Sequence, residues 1–180
     1  LRHTPMTLLR SLSLPLLLAA ALPAGAARLS LEVEIPALQV AEYHRPYVAL
    51  WIEREDASVA ANLAVWYQQD KPGHKGDSGT KWLPDLRQWW RRSGRGLLLP
   101  VDGVTGATRP AGSHTLAFDD RNAPLRDLPP GSYRVVVEAV REVGGRELLK
   151  LPLQWPPTAA QEARAQGKNE LGAVRLSATP

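Results

Sequence analysis

The residues best suited to chemistry lie together at Asp102-Gly103-Val104-Thr105-Gly106-Ala107-Thr108, a run that reads Asp-x-x-Thr-Gly-Ala-Thr. A threonine that accepts a transferred group needs an exposed hydroxyl on a segment that another enzyme can grip. Gly103 and Gly106 permit close backbone approach and φ values closed to other residues. Asp102 can orient the loop or, during a transfer, a metal ion. Pro110 restricts Arg109 to extended geometry and ends the run abruptly. The plain alternative is a glycine-containing hairpin or loop with a capping aspartate.

Other residues compete for attention. Six tryptophans are many for 180 residues. Trp82, Trp89 and Trp90 can flank a planar ring, since stacking on an aromatic face adds about 0.5–1.5 kcal/mol beyond burial. They also suit sugar binding, and core packing is the commoner use. Tyr43-His44-Arg45-Pro46-Tyr47 precedes a strand and reads as a ligand edge, a partner surface or a structural turn. Glu138 and Glu142 share a face of one regular strand, where paired carboxylates can do acid–base work. Surface ion pairing is the default reading of such a pair. His44, His74 and His114 lack metal-ligand spacing. There is no Gly-x-Ser-x-Gly, no Ser/His/Asp signature and no P-loop. The chain has no cysteine, so thiol catalysis, iron–sulfur ligation and cysteine zinc sites are excluded.

The Asp102–Thr108 run resembles the flavinylation motif, Asp-x-x-Ser/Thr-Gly-Ala-Thr, of FMN-binding domains in the sodium-pumping quinone reductase and Rnf complexes. There an exported FMN transferase takes FMN from FAD and esterifies its phosphate to the last threonine. The resemblance implies that Thr108 carries the flavin, with Asp102, Thr105, Gly106 and Ala107 completing the motif. The ester would be anionic, with Arg109 beside it and His114 six residues on. A second resemblance spans roughly Leu29 to Leu176. The segments Ala41–Ile52, Leu63–Trp66, Trp82–Leu86, Asp102–Gly112, Gly131–Tyr133 with Pro130, Glu138–Gly145 and Glu170–Gly172 look like those of periplasmic proteins called domain-of-unknown-function 2271. That family implies an exported protein, often encoded near membrane PepSY-type redox proteins and FMN transferases. Together the two resemblances imply an electron carrier with covalent FMN, partnered by an FMN transferase and a PepSY-type protein. It would not be a stand-alone enzyme. The competing reading is a non-redox β-sandwich module for binding or assembly.

The elements that must position these residues are mostly strands. Leu29, Leu31, Val33 and Ile35 alternate with polar residues, as do Val48, Leu50 and Ile52, then Leu63, Val65 and Tyr67. A polar loop follows over Gln68–Thr80. Trp82–Arg92 has helical spacing, with Pro84 near the start and Asp85 in the first turn. Leu116 and Phe118 mark a further strand. Tyr133–Ala139 and Leu148–Leu153 form a hairpin, with Gly144-Gly145 as a two-residue turn. Residues 158–168, polar and alanine-rich, read as a linker or weak helix. Val174 and Leu176 mark a last strand. Seven or eight strands and one short amphipathic helix predict an all-β, Ig-like antiparallel sandwich.

Bulk composition agrees. Sixteen prolines and 14 glycines point to many turns. At 44% hydrophobic the chain can build a core. Residues 1–27 read as a signal peptide: Arg2 and Arg10, an apolar Leu12–Leu22, then Ala24-Gly25-Ala26. Subtracting the two leader arginines from a net charge of +4 leaves +2 for residues 28–180, which form one domain. No basic patch with interleaved aromatics marks a nucleic-acid binder. No apolar run beyond the leader reaches roughly 18 residues, so the mature chain is not expected to span a membrane. These features predict a soluble periplasmic protein.

Overall fold

The computed structural model describes residues 25–70, 73 and 78–180. Most of the expected signal peptide, up to residue 24, and most of the polar loop after Asp70 lie outside the described residues. Among the described residues there are nine strands: β1 (Arg28–Ile35), β2 (Tyr47–Glu53), β3 (Val59–Tyr67), β4 (Thr105–Ala107), β5 (Gly112–Asp119), β6 (Gly131–Val140), β7 (Arg146–Trp155), β8 (Gln161–Gln166) and β9 (Ala173–Thr179). They form a four-stranded sheet, β5-β1-β9-β8, and a five-stranded sheet, β4-β3-β2-β6-β7. The predicted all-β sandwich is the fold found.

Burial explains which strands alternate. In β1 the apolar Leu29, Leu31, Val33 and Ile35 point inward while Ser30, Glu32 and Glu34 point toward solvent. The four-stranded sheet therefore has one dry face and one wet face. The five-stranded sheet is covered twice. Its inner face joins the core between the sheets through Val48, Leu50, Ile52, Val135 and Val137. Its outer face carries a second cluster, Ala49, Trp51, Val65, Tyr67 and Val136, closed over by Leu83, Leu86 and Trp89. Every residue of β2 from Val48 to Glu53 is buried.

The cover is shorter and tighter than the predicted helix. Gly79–Asp85 is a 3-10 turn that contains Pro84, and α1 (Arg87–Arg92) has only six residues. Proline cannot donate to a helix interior and is tolerated in the tighter turn. A buried carboxylate holds this cover down. Glu138 of β6 accepts from the backbone N–H of Gln88 at 3.1 Å and of Trp89 at 2.8 Å. Arg146 pairs with the same carboxylate at 2.5 Å. Glu138 is fully buried, so its expected role as a surface charge is corrected. Ion pairing survives from that reading; surface exposure does not. Trp89 adds a bond from its ring nitrogen to Asn62 at 2.9 Å.

Three further expectations change. Residues 158–168 are neither linker nor helix, because Gln161–Gln166 forms β8 against β9. Ala163 and Ala165 of β8 pack against the core, while Glu162, Arg164 and Gln166 face out. The β6–β7 hairpin turns over Arg141–Gly145 rather than over two glycines, and Val143 takes the left-handed conformation there. Thr105–Ala107 is a strand, not a hairpin or loop, and it runs parallel to β3 within an otherwise antiparallel sheet. It pairs with only Val65–Tyr67 of the nine-residue β3. Just ahead of β1, Ala27 is buried, and its carbonyl accepts from Asp120 N–H at 3.0 Å.

Glu147 of β7 ties down the loop before β9. Its carboxylate accepts backbone N–H bonds from Lys168, Asn169, Glu170 and Leu171, at 2.6 to 3.1 Å. Burial pushes its pKa up, but the four donors outweigh burial and hold it below the ordinary glutamate value. Such a group adds stability above its unfolded pKa and loses it as pH falls through the folded pKa. Glu147→Gln is therefore expected to destabilise the fold at neutral pH. The gap from wild type should close below the ordinary glutamate range, in urea unfolding followed from pH 7 downward. Glu138→Ala is expected to cost about 3 kcal/mol in the same assay, since it strands buried N–H groups and a guanidinium. Glu32→Ala, which removes an exposed pair with Arg175, should cost less than about 1 kcal/mol.

Candidate functional site

A cleft of about 940 Å³ opens at one end of the five-stranded sheet. Several segments meet there. The loop before β2 supplies Tyr43, His44 and Arg45, and the ends of β3 and β4 bring Gln68 and Thr108. The helical cover contributes Trp82 and Arg87, and the β6–β7 turn contributes Arg141 to Arg146. Thr108 reaches the cleft because β4 runs parallel to β3. Both strands end at the same edge of the sheet, and Thr108 N–H donates to the Tyr67 carbonyl at 3.2 Å. Its side chain is half-buried.

The rest of the Asp102–Thr108 run builds the approach to Thr108. A tight turn centres on Val101, whose carbonyl accepts from Val104 at 3.2 Å and Thr105 at 2.9 Å. Gly103 has φ +70° in that turn. The Thr105 hydroxyl closes it by accepting from Val101 N–H at 2.8 Å. Gly106 lies over Trp66, where a Cβ would stand 3.2 Å from the ring. Gln69 donates to the Gly106 carbonyl at 3.2 Å. Asp102 and Ala107 are exposed. Of the motif residues and Arg109, Thr108 lines the cleft, and Trp82 and the Tyr43–Tyr47 segment, read as possible ligand groups, line it as well. Thr105 closes the turn before β4 and Gly106 packs over Trp66.

Arg109 also points elsewhere. Its guanidinium lies 5.3 Å over the Trp66 ring. His114 meets the same ring edge-on at 5.8 Å and is hydrogen-bonded to the Pro110 carbonyl at 2.8 Å. Alternation along the chain separates Arg109 from its neighbour Thr108.

The cationic groups of the cleft come from other elements. Arg45 and Arg87 are exposed on its rim. Arg146 is held by Glu138, and Arg141 is buried in a two-pronged pair with Glu170 at 2.9 and 3.2 Å. Asp85 and Glu142 add acidic charge, and Glu142 lies 3.5 Å from the His44 ring. Tyr47 donates its hydroxyl to the Gly79 carbonyl at 3.0 Å and packs edge-on against Tyr67. Burial raises its pKa above the ordinary tyrosine value, with nearby Glu142 and Asp70 adding to this and a backbone bond at Gln68 opposing it. Trp82, 46% exposed, and Tyr43 give the cleft an aromatic lip.

The sequence singled out Thr108, which lines the cleft, through its motif. It placed Trp89 beside a possible ligand ring, yet Trp89 is fully buried under the helical cover. It gave no signal for Arg87 or Arg146. Those two converge only through the folding of the cover onto the sheet, which no local pattern records.

A family model described as "Predicted periplasmic protein (DUF2271)" matches residues 28–173. No curated protein and no solved structure matches the chain. The displaced Arg109 yields a direct test. Arg109→Ala is expected to lower unfolding stability by about 0.5–1 kcal/mol through loss of its contact with Trp66, read as a shift of the urea midpoint.

Proposed function

The chain belongs to the DUF2271 family of predicted periplasmic proteins, and from that premise we propose that it is an exported electron carrier with FMN esterified to Thr108. An FMN transferase would supply the group from FAD, releasing AMP, and a membrane PepSY-type redox protein would exchange electrons with the carrier. The observation that carries the reading is the half-buried Thr108 side chain on the wall of a cleft with cationic and aromatic groups. The residues fit the group. Thr108 offers an acceptor hydroxyl. Arg45 and Arg87 offer positive charge to a phosphate. Tyr43 and Trp82 offer aromatic surface to a planar ring.

When bound, a flavin accepts two electrons and releases them singly, so the protein's part is to hold and orient it. β4 fixes Thr108 at the cleft through its bond to Tyr67, and the Val101 turn fixes β4. The exposed Asp102, Ala107 and Arg109 leave a surface on which a transferase can close. The helical cover and the β6–β7 turn would shield one side of the ligand from water.

A non-redox binding module using the same cleft is the second reading. It is favoured by one observation: of the six residues expected to bind FMN, only Thr108 faces the cleft. Co-expression of the exported chain with an FMN transferase separates the two. After denaturing electrophoresis, wild type should show in-gel flavin fluorescence and the added mass of FMN. Thr108→Ala should lose both, and Thr108→Ser should keep them. An unmodified wild-type chain beside a transferase that labels a control substrate would sink the carrier reading.

A further inference from the structure

The β6–β7 turn carries two oddities side by side. Arg141 is 7% exposed, yet its Nη1 is buried without a hydrogen-bond partner. Its other guanidinium nitrogens are spent on Glu170. Gly144 lies against the guanidinium, where a Cβ would stand 2.6 Å from Cζ. Buried cationic donors normally find every partner they can, because an unmade bond there costs more than a made bond returns. Two residues on, Val143 adopts φ +53° and is 72% exposed. A β-branched residue in that conformation is strained, and such strain gathers at ligand clamps.

Both residues line the cleft, together with Arg45, Arg87 and Arg146. No ion pair involves Arg45 or Arg87 among the described residues. The lining of the cleft thus includes four guanidinium groups against the carboxylates of Asp85 and Glu142, two of the four without an ion-pair partner among the described residues and one with an unused buried nitrogen. Guanidinium forks match the tetrahedral oxygens of a phosphate and bind them by paired, charge-assisted bonds. We propose that this cleft contains a non-covalent binding subsite for the phosphate group of a small molecule, with donors from Arg141 and the rim residues Arg45 and Arg87. Arg45 and Arg87 are the groups that the flavin reading offers to the FMN phosphate, so the inference deepens that reading. It concerns the unmodified chain, where failure to bind phosphate is distinguishable from failure to attach flavin.

Inorganic phosphate is the probe, titrated calorimetrically into the mature, unmodified protein at low salt and pH 8. Saturable binding is expected, unchanged by Thr108→Ala. The Arg45→Ala/Arg87→Ala double variant changes only exposed side chains and should weaken binding by about tenfold or more. Arg141→Met/Glu170→Gln removes the buried pair together while keeping an acceptor for Gly145 N–H, and should abolish binding. If that variant does not fold, the Arg141 guanidinium NMR signals of the wild type replace it, and they should shift on phosphate addition. Absence of saturable binding, equal binding of chloride, or binding untouched by the rim substitutions would each overturn the proposal. So would unmoved Arg141 signals at saturating phosphate.

Discussion

One buried carboxylate organises the functional half of the molecule. Glu138 lies near the end of β6, fully buried on the covered outer face of the five-stranded sheet. It draws down the first N–H groups of α1 and at the same time fixes Arg146. Bonds to a charged acceptor are stronger than neutral ones, and this one is shielded from water. A six-residue helix is far below the length at which helices persist alone, so the short cover depends on its contacts with the sheet. Glu138 supplies the charged ones, and Leu83, Leu86 and Trp89 seal the outer cluster. Trp82 and Arg87 of the cover then line the cleft together with the β6–β7 turn.

That arrangement accounts for what the sequence reveals and what it hides. The strands of the four-stranded sheet announce themselves by strict alternation, because only one of its faces is wet. β2 and β6 still read as strands, but the buried side of Ala49, Trp51 and Val136 signals a second layer that alternation alone would assign to solvent. β8 was legible in principle, since Gln161–Gln166 alternates small apolar with long polar residues. Its alanines weaken the signal, because alanine favours helices as an isolated residue and packs in an edge strand as a small one. The parallel pairing of β4 leaves no local mark at all.

The candidate site divides the same way. Thr108 is visible from a motif seven residues long. Arg45 is visible as part of the polar, aromatic segment before β2, whereas Arg87 and Arg146 are not, because they come from the helical cover and the far side of the β6–β7 turn. Arg109 illustrates the limit of adjacency. It follows Thr108 directly, yet one step along an extended backbone turns it to the opposite side, onto Trp66. Arg141 and Glu170, 29 residues apart in the chain, are joined because Glu147 gathers the backbone of the loop that carries Glu170. Buried carboxylates thus hold Arg146 and Arg141 at the cleft.

The pairing of β1 bears on when this chain can fold. β1 lies between β5 and β9, so the opening strand of the domain takes its place beside the closing one. Pairings between such distant segments are slow to form, because the intervening chain must be closed before they reward it. The five-stranded sheet needs neither β1 nor β9, whereas the four-stranded sheet is complete only once β9 has joined β1. The last described strand thus seals the first into the core.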